Sequence, residues 1–258
     1  MPDLSKNNIK YIQSLKNKKD REEYGVFVAE GDKMVSELLL TMRCRMLVAT
    51  SDFVKSAKES LPNSRVDEWI EVSKKELQRV SFLKNPQQVL AVFYQPEYNY
   101  ELSSLKDQLC LALDGIQDPG NMGTIIRLAD WYGIEHIFCS VDTVDVFNPK
   151  VVQATMGALA RVKVHYLDLP AFLESISDYL PVYGTYLDGE DMYKADIREN
   201  GIIVMGNEGN GIRPDTGEFV SDKLFIPNYP AQRHTSESLN VSVATAIICS
   251  EFRRRSLE

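Results

Sequence analysis

Cysteine and histidine are scarce in this 258-residue sequence, which contains four cysteines and three histidines. The cysteines show no CxxC spacing and most lie in apolar runs, so we expect reduced thiols in a cytosolic core rather than disulfides. The histidines lie far apart in the sequence, and the pattern gives little support for a His/Cys metal site. We therefore predict no metal and four free thiols, at Cys44, Cys110, Cys139 and Cys249.

Long apolar runs are also absent. No stretch of about 18 apolar residues could form a membrane-spanning helix, and the N-terminus lacks the apolar segment of a secretory signal. These absences predict a cytoplasmic protein that has no membrane partner.

Positive charge is in deficit, since the net charge is −8. That balance argues against general polyanion binding but allows a local basic surface. Residues 1–21 carry six basic against two acidic side chains, and the C-terminus contains the run "EFRRRS". Each basic end can be either a solvated helix face or a contact for a phosphate-bearing partner.

The sequence does contain a regular alternation of strand and helix patterns, which predicts an α/β fold. The stretch "NNIKYIQSLKNKKDREEYG" predicts a helix, and "VFVAEG" a short strand after it. The segment "PEYNYELSSLKD" lacks periodicity, so we expect it to link a small α/β domain, residues 1–100, to a second domain, residues 107–258. In the second domain the alternation predicts a mostly parallel sheet covered on both faces, which binds ligands at the carboxyl ends of its strands.

Three loops follow predicted strands of the second domain: "QDPGNMG", "GNEGNG" and "PNYPAQRHTSE". The glycine spacing of the second loop does not match the dinucleotide fingerprint GxGxxG, nor does it form a phosphate-binding loop ending in Gly-Lys-Ser/Thr. This mismatch weighs against a nucleotide-dependent oxidoreductase. An ordinary turn is the other interpretation of this loop taken alone.

The last predicted helix, in "SLNVSVATAIICSEFRRR", is apolar almost all the way round. Such a helix is buried on most sides, which predicts core on one side and a subunit interface on another. We expect Ser238 to cap the helix and Asn240 to lie inside its first turn.

Taken together and in order, "DPGNMGTIIRLA", "IVMGNEGNGI" and "IPNYP…SESLNVSVATAI" resemble the three motifs of the SpoU (TrmH-type) RNA ribose 2′-O-methyltransferases. The N-terminal "FVAEGDKMVSELL" and "VSFLKNPQQVLAVF" are similar to the small ribosomal-protein-like α/β domain that often precedes this catalytic domain. The resemblance covers most of the chain.

That resemblance implies a deep trefoil knot in the C-terminal domain, S-adenosylmethionine as cofactor, rRNA or tRNA as substrate, and a homodimer built from the C-terminal domain. It also implies two sets of site residues. Those expected to contact the cofactor are Gly206, Asn207, Glu208, Gly209, Ile226 and Leu239. Those expected to act on the substrate are Asn121, Arg127, Glu208, Ser238 and Asn240.

The resemblance makes Arg127 the catalytic arginine. Because guanidinium groups stay protonated in proteins, we expect it to grip a phosphate and stabilise charge on the ribose oxygen rather than act as a base. The other interpretation is a surface arginine paired with Asp130. Glu208 could orient either Arg127 or Asn121.

One departure from the family pattern concerns the third motif, in which Pro230 stands where glycine is expected and the loop is longer. Proline lacks an N–H group, so we expect one backbone hydrogen bond near the substrate to be missing or moved. The alternative to an active enzyme is an RNA-binding or assembly protein that kept the fold and lost activity.

Overall fold

A computed structural model describes residues 4–60, 65–230 and 238–256. The chain forms two compact units, each of which combines helices with a β-sheet, and this confirms the α/β prediction. The first unit contains Met1–Glu97 together with Asp145–Ala160, and the second contains Tyr98–Val144 and Arg161–Glu258. Among the described helices, none combines the length and apolar character needed to cross a bilayer.

The elements of the described ranges are, in chain order, α1 (Lys6–Ser14), α2 (Lys18–Tyr24), β1 (Val26–Glu30), α3 (Asp32–Leu39), β2 (Cys44–Ala49), α4 (Ser51–Ser60), β3 (Trp69–Glu71), α5 (Lys74–Val80), β4 (Val89–Tyr94), α6 (Leu102–Leu105), β5 (Leu109–Asp114), α7 (Pro119–Trp131), β6 (His136–Ser140), α8 (Pro149–Thr155), β7 (Lys163–Leu167), α9 (Leu169–Ile176), β8 (Val182–Asp191), β9 (Gly201–Gly206), α10 (Pro214–Gly217), β10 (Asp222–Phe225) and α11 (Val241–Arg255).

The first unit has a mixed sheet in the order β1-β4-β2-β3. Strand β4 runs antiparallel to both neighbours, whereas β2 and β3 are parallel. Apolar side chains that alternate along these strands form one core cluster with residues of α1 and α5. On β1, Phe27 stacks on Phe93 of β4 and on Phe147, so the later segment 145–160 packs within this unit.

The predicted single N-terminal helix is broken into α1 and α2, and the reason is a buried arginine. The Arg21 guanidinium donates to the backbone oxygens of Leu15 (2.9 Å) and Lys16 (2.8 Å), which therefore need no partner in a continuous helix. Arg21 is only 2 % exposed and lies 2.5 Å from a carboxylate oxygen of Asp145. A contribution of Arg21 to a phosphate-binding surface is therefore wrong, because the side chain is buried and both of its terminal nitrogens donate inside the unit.

The second unit contains six parallel strands in the order β10-β8-β9-β5-β6-β7, which confirms the predicted parallel sheet. The central strands β5 and β9 are buried along their whole length, as expected for strands covered on both faces. Since these strands are parallel, the loops that follow β5, β9 and β10 leave from the same edge of the sheet. The three loops that the motifs occupy therefore emerge together.

Helix α7 begins at Pro119, inside the stretch "QDPGNMG" that the sequence predicts to be a loop. Its N-cap is Asp118, whose side chain accepts from the Asn121 backbone N–H at 2.8 Å, and a proline at the first position is already shaped for a helix. These two signals outweigh the low helix propensity of Gly120 and Gly123. The glycine-rich segment is thus the first turn of the helix rather than a loop before it.

The C-terminal arginines bond within the second unit. Arg253 donates from Nε to the backbone oxygen of Tyr132 (2.7 Å), at the end of α7, and α11 packs against that helix. Arg254 and Arg255 both pair with the buried Glu251, whose pKa falls to about 2 because of the hydrogen bond from Arg254, despite partial desolvation. The three arginines of the run "RRR" therefore make contacts within the unit, and these contacts disfavour a role in binding phosphate.

All four cysteines are free and buried, as predicted. Two histidines that are remote in sequence meet on adjacent strands: His136 Nδ1 lies 3.0 Å from His165 Nε2. The pair is buried against Phe138, and burial disfavours a charge on either ring. When both rings are neutral, one nitrogen donates a single N–H to the other.

This buried pair predicts acid sensitivity. Burial lowers the pKa of His165 to about 4, whereas an unfolded histidine titrates near 6.5. Between these two values the unfolded chain binds more protons, so stability is lost as the pH falls from about 6.5 towards 4. Replacing His165 with Gln should reduce that loss by about 1 kcal/mol at pH 5.5, measured by urea unfolding at pH 7.5, 6.5 and 5.5. Identical pH dependence in both proteins would remove the histidine pair from acid unfolding.

Candidate active site

A cavity of about 520 Å³ opens at the carboxyl end of β9, within the size range of small-molecule sites. Its walls come from four segments: residues 185–188, 205–212, 224–226 and 238–244. The residues predicted to contact a cofactor all line it, namely Gly206, Asn207, Glu208, Gly209, Ile226 and Leu239. The structure thus gathers into one cavity positions that are up to 33 residues apart (239 − 206).

Gly206 is required by close backbone packing at the floor of this cavity. A Cβ atom there would lie 2.2 Å from the carbonyl carbon of Gly211 and 2.3 Å from the nitrogen of Ile212. The chain returns this closely because Asn207 and Gly211 exchange two backbone hydrogen bonds, of 3.0 and 2.9 Å. Only a residue without a side chain fits at position 206.

The side chain of Asn207 holds the loop in shape. Its Oδ1 accepts from the backbone N–H groups of Gly209 (2.9 Å) and Asn210 (3.2 Å), and its Nδ2 donates to the backbone oxygen of Gly115 (2.7 Å). The side-chain polar groups of Asn207 are therefore occupied by the loop and by the segment after β5.

A chain of hydrogen bonds joins the three motif segments beside the cavity. Asn121 Nδ2 donates to Glu208 Oε1 at 2.7 Å, and Asn240 Nδ2 donates to Asn121 Oδ1 at 3.0 Å. The structure therefore pairs Glu208 with Asn121, which the sequence left open. Each of the two amides bridges two other groups, so the position of each side chain depends on the others.

Asn240 is the N-cap of α11, not a residue inside its first turn. Its Oδ1 accepts from the backbone N–H of Ser242 at 3.0 Å and of Val243 at 3.3 Å. The expectation that Ser238 caps the helix is wrong, since Ser238 lies two residues earlier, exposed, on the cavity wall. Asn240 thus anchors a helix with its oxygen and orients Asn121 with its nitrogen.

Arg127 is exposed on α7, six residues after Asn121. The surface pair with Asp130 is wrong, because Asp130 receives two hydrogen bonds from Arg161, of 2.7 and 2.8 Å. Within residues 4–60, 65–230 and 238–256, Arg127 has no hydrogen-bond or ion-pair partner. It lies outside the cavity lining, and the structure does not bring it into contact with the other predicted residues.

A second contact between these segments had no clear signal in the sequence. The buried carboxylate of Asp114, at the end of β5, accepts from the backbone N–H (2.8 Å) and the Nε (2.7 Å) of Arg213. It ties the loop after β9 to the neighbouring strand.

The longer third-motif loop continues from Pro230 into residues 231–237, which lie outside the described residues. In the part of the chain described, no group of three or more His, Cys, Asp or Glu side chains could hold a metal ion.

Comparison with protein families gives two matches. Residues 108–250 match the SpoU rRNA Methylase family, and residues 6–91 match the MRM3-like substrate binding domain. Together, the two matched ranges cover most of the sequence.

Individual proteins are similar along nearly the whole chain. The 23S rRNA (guanosine(2553)-2′-O)-methyltransferase RlmP of Bacillus subtilis is 29% identical over 250 residues, which is 95% of each chain. A solved structure of a TrmH-family protein from Porphyromonas gingivalis is 42% identical with a TM-score of 0.89, and the match covers 98% of this chain and 100% of that one. An AdoMet-bound rRNA methyltransferase from Sinorhizobium meliloti is 29% identical with a TM-score of 0.86, over 100% and 98% of the two chains.

Proposed function

The chain belongs to the SpoU rRNA methylase family, and we propose that it transfers the methyl group of S-adenosylmethionine to a ribose 2′-hydroxyl of rRNA. The observation that carries this proposal is the hydrogen-bonded set Glu208–Asn121–Asn240 at the edge of the cavity that all the predicted cofactor residues line. A guanosine is the proposed target nucleoside, since the Bacillus subtilis relative is named for one.

The cavity suits S-adenosylmethionine by its size and by the chemistry of its walls. Apolar side chains such as Ile226 and Leu239 suit the adenine ring, and the tight turn at Gly206 lets the backbone approach a ligand closely. Glu208 and Asp188 are the charged residues among those lining the cavity, so the charged groups of its wall are all acidic. When bound, the cofactor supplies a methyl group on a positively charged sulfur.

The polar set beside the cavity is proposed to position the target ribose. Asn121 and Asn240 hold one another and Glu208 in fixed orientations, so groups that contact the substrate need little reorganisation. Arg127 is proposed to grip the phosphate next to the target ribose and to stabilise negative charge as it develops on the 2′-oxygen. The proton then leaves to that phosphate or to water. Ser238, exposed on the cavity wall, is proposed to contact the substrate too.

The test of this function is methyl transfer from labelled S-adenosylmethionine to total rRNA. We expect label in RNA that resists alkaline cleavage at the modified nucleotide, because a 2′-O-methyl group blocks attack on the adjacent phosphate. Binding of both cofactor and RNA without transfer would instead identify an inactive RNA-binding or assembly protein.

Residues 1–100 are proposed to form the substrate-binding domain, and residues 107–258 the catalytic domain. Residues 6–91 match a substrate binding domain, and the exposed Lys16, Lys18 and Lys19 lie on and just before α2. If they bind phosphates, replacing all three with Gln should flatten the dependence of RNA binding on log salt by roughly 0.7 to 0.9 log units for each phosphate that is no longer neutralised. Cofactor affinity serves as the control and should not change. An unaltered salt dependence would assign these lysines to solubility.

A homodimer through the catalytic domain is part of the proposal. Trp131 on α7 is 84 % exposed and Val243 on α11 is 48 % exposed, although the two helices pack together. Exposed apolar groups of this size favour a protein partner. Replacing Trp131 with Glu should convert a dimer into a monomer in light scattering. In a Trp69→Phe protein, emission from Trp131 should shift to the blue as concentration rises. A wild-type monomer at micromolar concentration that methylates rRNA would contradict this proposal.

The deep trefoil knot is also proposed. The chain order supports it: β9 enters the sheet beside the earlier strand β5, β10 lies at the edge, and α11 returns to pack on α7. Proteins with knotted chains are rare, so this is a specific expectation of the family assignment.

A further inference from the structure

Strand β8 leaves its neighbour β10 in an unusual way. Lys223 pairs with Gly184, but the next residue, Leu224, pairs with Glu190, so residues 185–189 of β8 bulge out between two points of the ladder. Four of these residues, 185–188, form one wall of the cavity. A bulge of this kind re-aims side chains that a regular strand would send elsewhere.

Glycines fix both ends of the bulge. A Cβ on Gly184 would lie 2.9 Å from the Val220 side chain, and one on Gly189 would lie 2.7 Å from the backbone carbon of Leu224. Because β8 and β10 pass too close for any side chain at position 189, the segment between the glycines is held in place. The bulge is therefore a fixed part of the cavity wall, held by close packing at both of its ends.

The bulge presents a carboxylate that has no hydrogen-bond partner among the described residues. Asp188 has a side-chain exposure of 77 %, and its nearest ion-pair contact is Lys223 Nζ at 3.8 Å. The other carboxylate of the cavity wall, Glu208, already accepts from Asn121, and the Asn207 oxygen is used by the loop. Next to Asp188, Leu187 is 70 % exposed on the same wall.

We propose that Asp188 binds the ribose hydroxyls of the cofactor's adenosyl group while the neighbouring Leu187 covers its adenine ring. A carboxylate has two oxygens and accepts hydrogen bonds from two adjacent hydroxyls, the chemistry by which acidic residues bind the ribose of other adenine cofactors. Hydrogen bonds to a charged acceptor are stronger than neutral ones. This inference rests on the proposed function, because it needs S-adenosylmethionine as the ligand.

The competing role for Asp188 is attraction of the positively charged sulfur. The two roles predict different ligand dependence, because S-adenosylhomocysteine keeps the ribose but lacks the positive sulfur. When Asp188 is removed, a ribose role predicts that both ligands weaken by the same factor, whereas a role at the sulfur predicts that S-adenosylmethionine alone weakens.

The experiment is calorimetric binding of S-adenosylmethionine, S-adenosylhomocysteine and the 2′-deoxyadenosyl and 3′-deoxyadenosyl analogues of the latter to the full-length protein. Asp188→Ala should weaken the first two ligands by about 10-fold each. Removing either hydroxyl from the ligand should weaken binding to the wild type by a similar factor and have no further effect in the variant. Glu190→Ala is the matched control, since it removes an exposed carboxylate of the same strand that does not line the cavity.

Each outcome separates the proposed function from the role of Asp188. A wild-type protein that binds neither methylated nor demethylated cofactor overturns the proposed function. A wild type that binds both, with unchanged affinities in Asp188→Ala, overturns only the role of Asp188. Weakening confined to S-adenosylmethionine, or a deoxy penalty that persists in the variant, also overturns the ribose contact. An unchanged melting temperature of the variant excludes a folding defect as the cause.

Discussion

Replacing Arg127 with alanine should lower the single-turnover methylation rate by about 100-fold or more, the scale for loss of one preorganised charge-stabilising donor. Cofactor affinity should stay nearly unchanged, because Arg127 does not line the cavity. The structure strengthens this expectation because it removes the alternative role of Arg127 in a surface ion pair. The carboxylate that could have held Arg127 at the surface, Asp130, is occupied by Arg161.

Two further variants sharpen the test of Arg127. Arg127→Lys restores the charge but not the planar pair of donors, so we expect only partial recovery of the rate. Arg161→Ala is the matched control, because it removes a neighbouring surface arginine and should cost at most about 1 kcal/mol of stability, with a normal rate. Single-turnover kinetics and calorimetry should be measured for all three proteins. A near-normal rate in Arg127→Ala would remove this residue from the active site.

Replacing Gly206 with alanine should abolish measurable cofactor binding, a loss of at least about 100-fold. The added Cβ would meet two backbone atoms at 2.2 and 2.3 Å, so the loop that carries Glu208 must move to accommodate it. Forced overpacking of this kind costs about 1–3 kcal/mol or more, which is comparable to the contribution of the hydrogen bonds that hold the loop. The weaker binding then reflects a reshaped cavity, not a missing side-chain group.

The comparison that isolates this effect is Gly209→Ala in the same loop. A Cβ there would meet only Asn207 Oδ1, at 3.5 Å, which is an ordinary contact. Its melting temperature should therefore match the wild type, whereas that of Gly206→Ala should fall. Calorimetry of S-adenosylmethionine and thermal unfolding of both proteins check the prediction. Normal cofactor affinity in Gly206→Ala would show that the loop tolerates a different path.

The parallel sheet and the meeting of the motif loops at one cavity could be predicted because they depend on strong local patterns and on motif order. The sequence also contains the signals for the start of α7, Asp118 and Pro119, but the glycines that follow them are more typical of a loop. The pattern places the cap of α11 two residues too early because serine and asparagine cap helices about equally well. Which of them caps depends on where the chain leaves the loop.

Other features depend on residues that are distant in sequence, and no local pattern could reveal them. Arg21 is part of a basic run, but its guanidinium is buried because Asp145 and two backbone oxygens surround it. The pairing of Glu208 with Asn121, the contact of Asp114 with Arg213 and the histidine pair are of the same kind. Each of them requires knowing which strands are neighbours.

The hydrogen-bond chain Glu208–Asn121–Asn240 also determines when the three motif segments can come together during folding. Its two links close chain segments of 87 and 119 residues, so loop-closure entropy delays both until most tertiary structure is in place. A nascent chain can complete the set only after Asn240 has emerged from the ribosome, 119 residues after Asn121. Molecules in which these segments have not yet met therefore lack the arrangement that we propose to position a substrate.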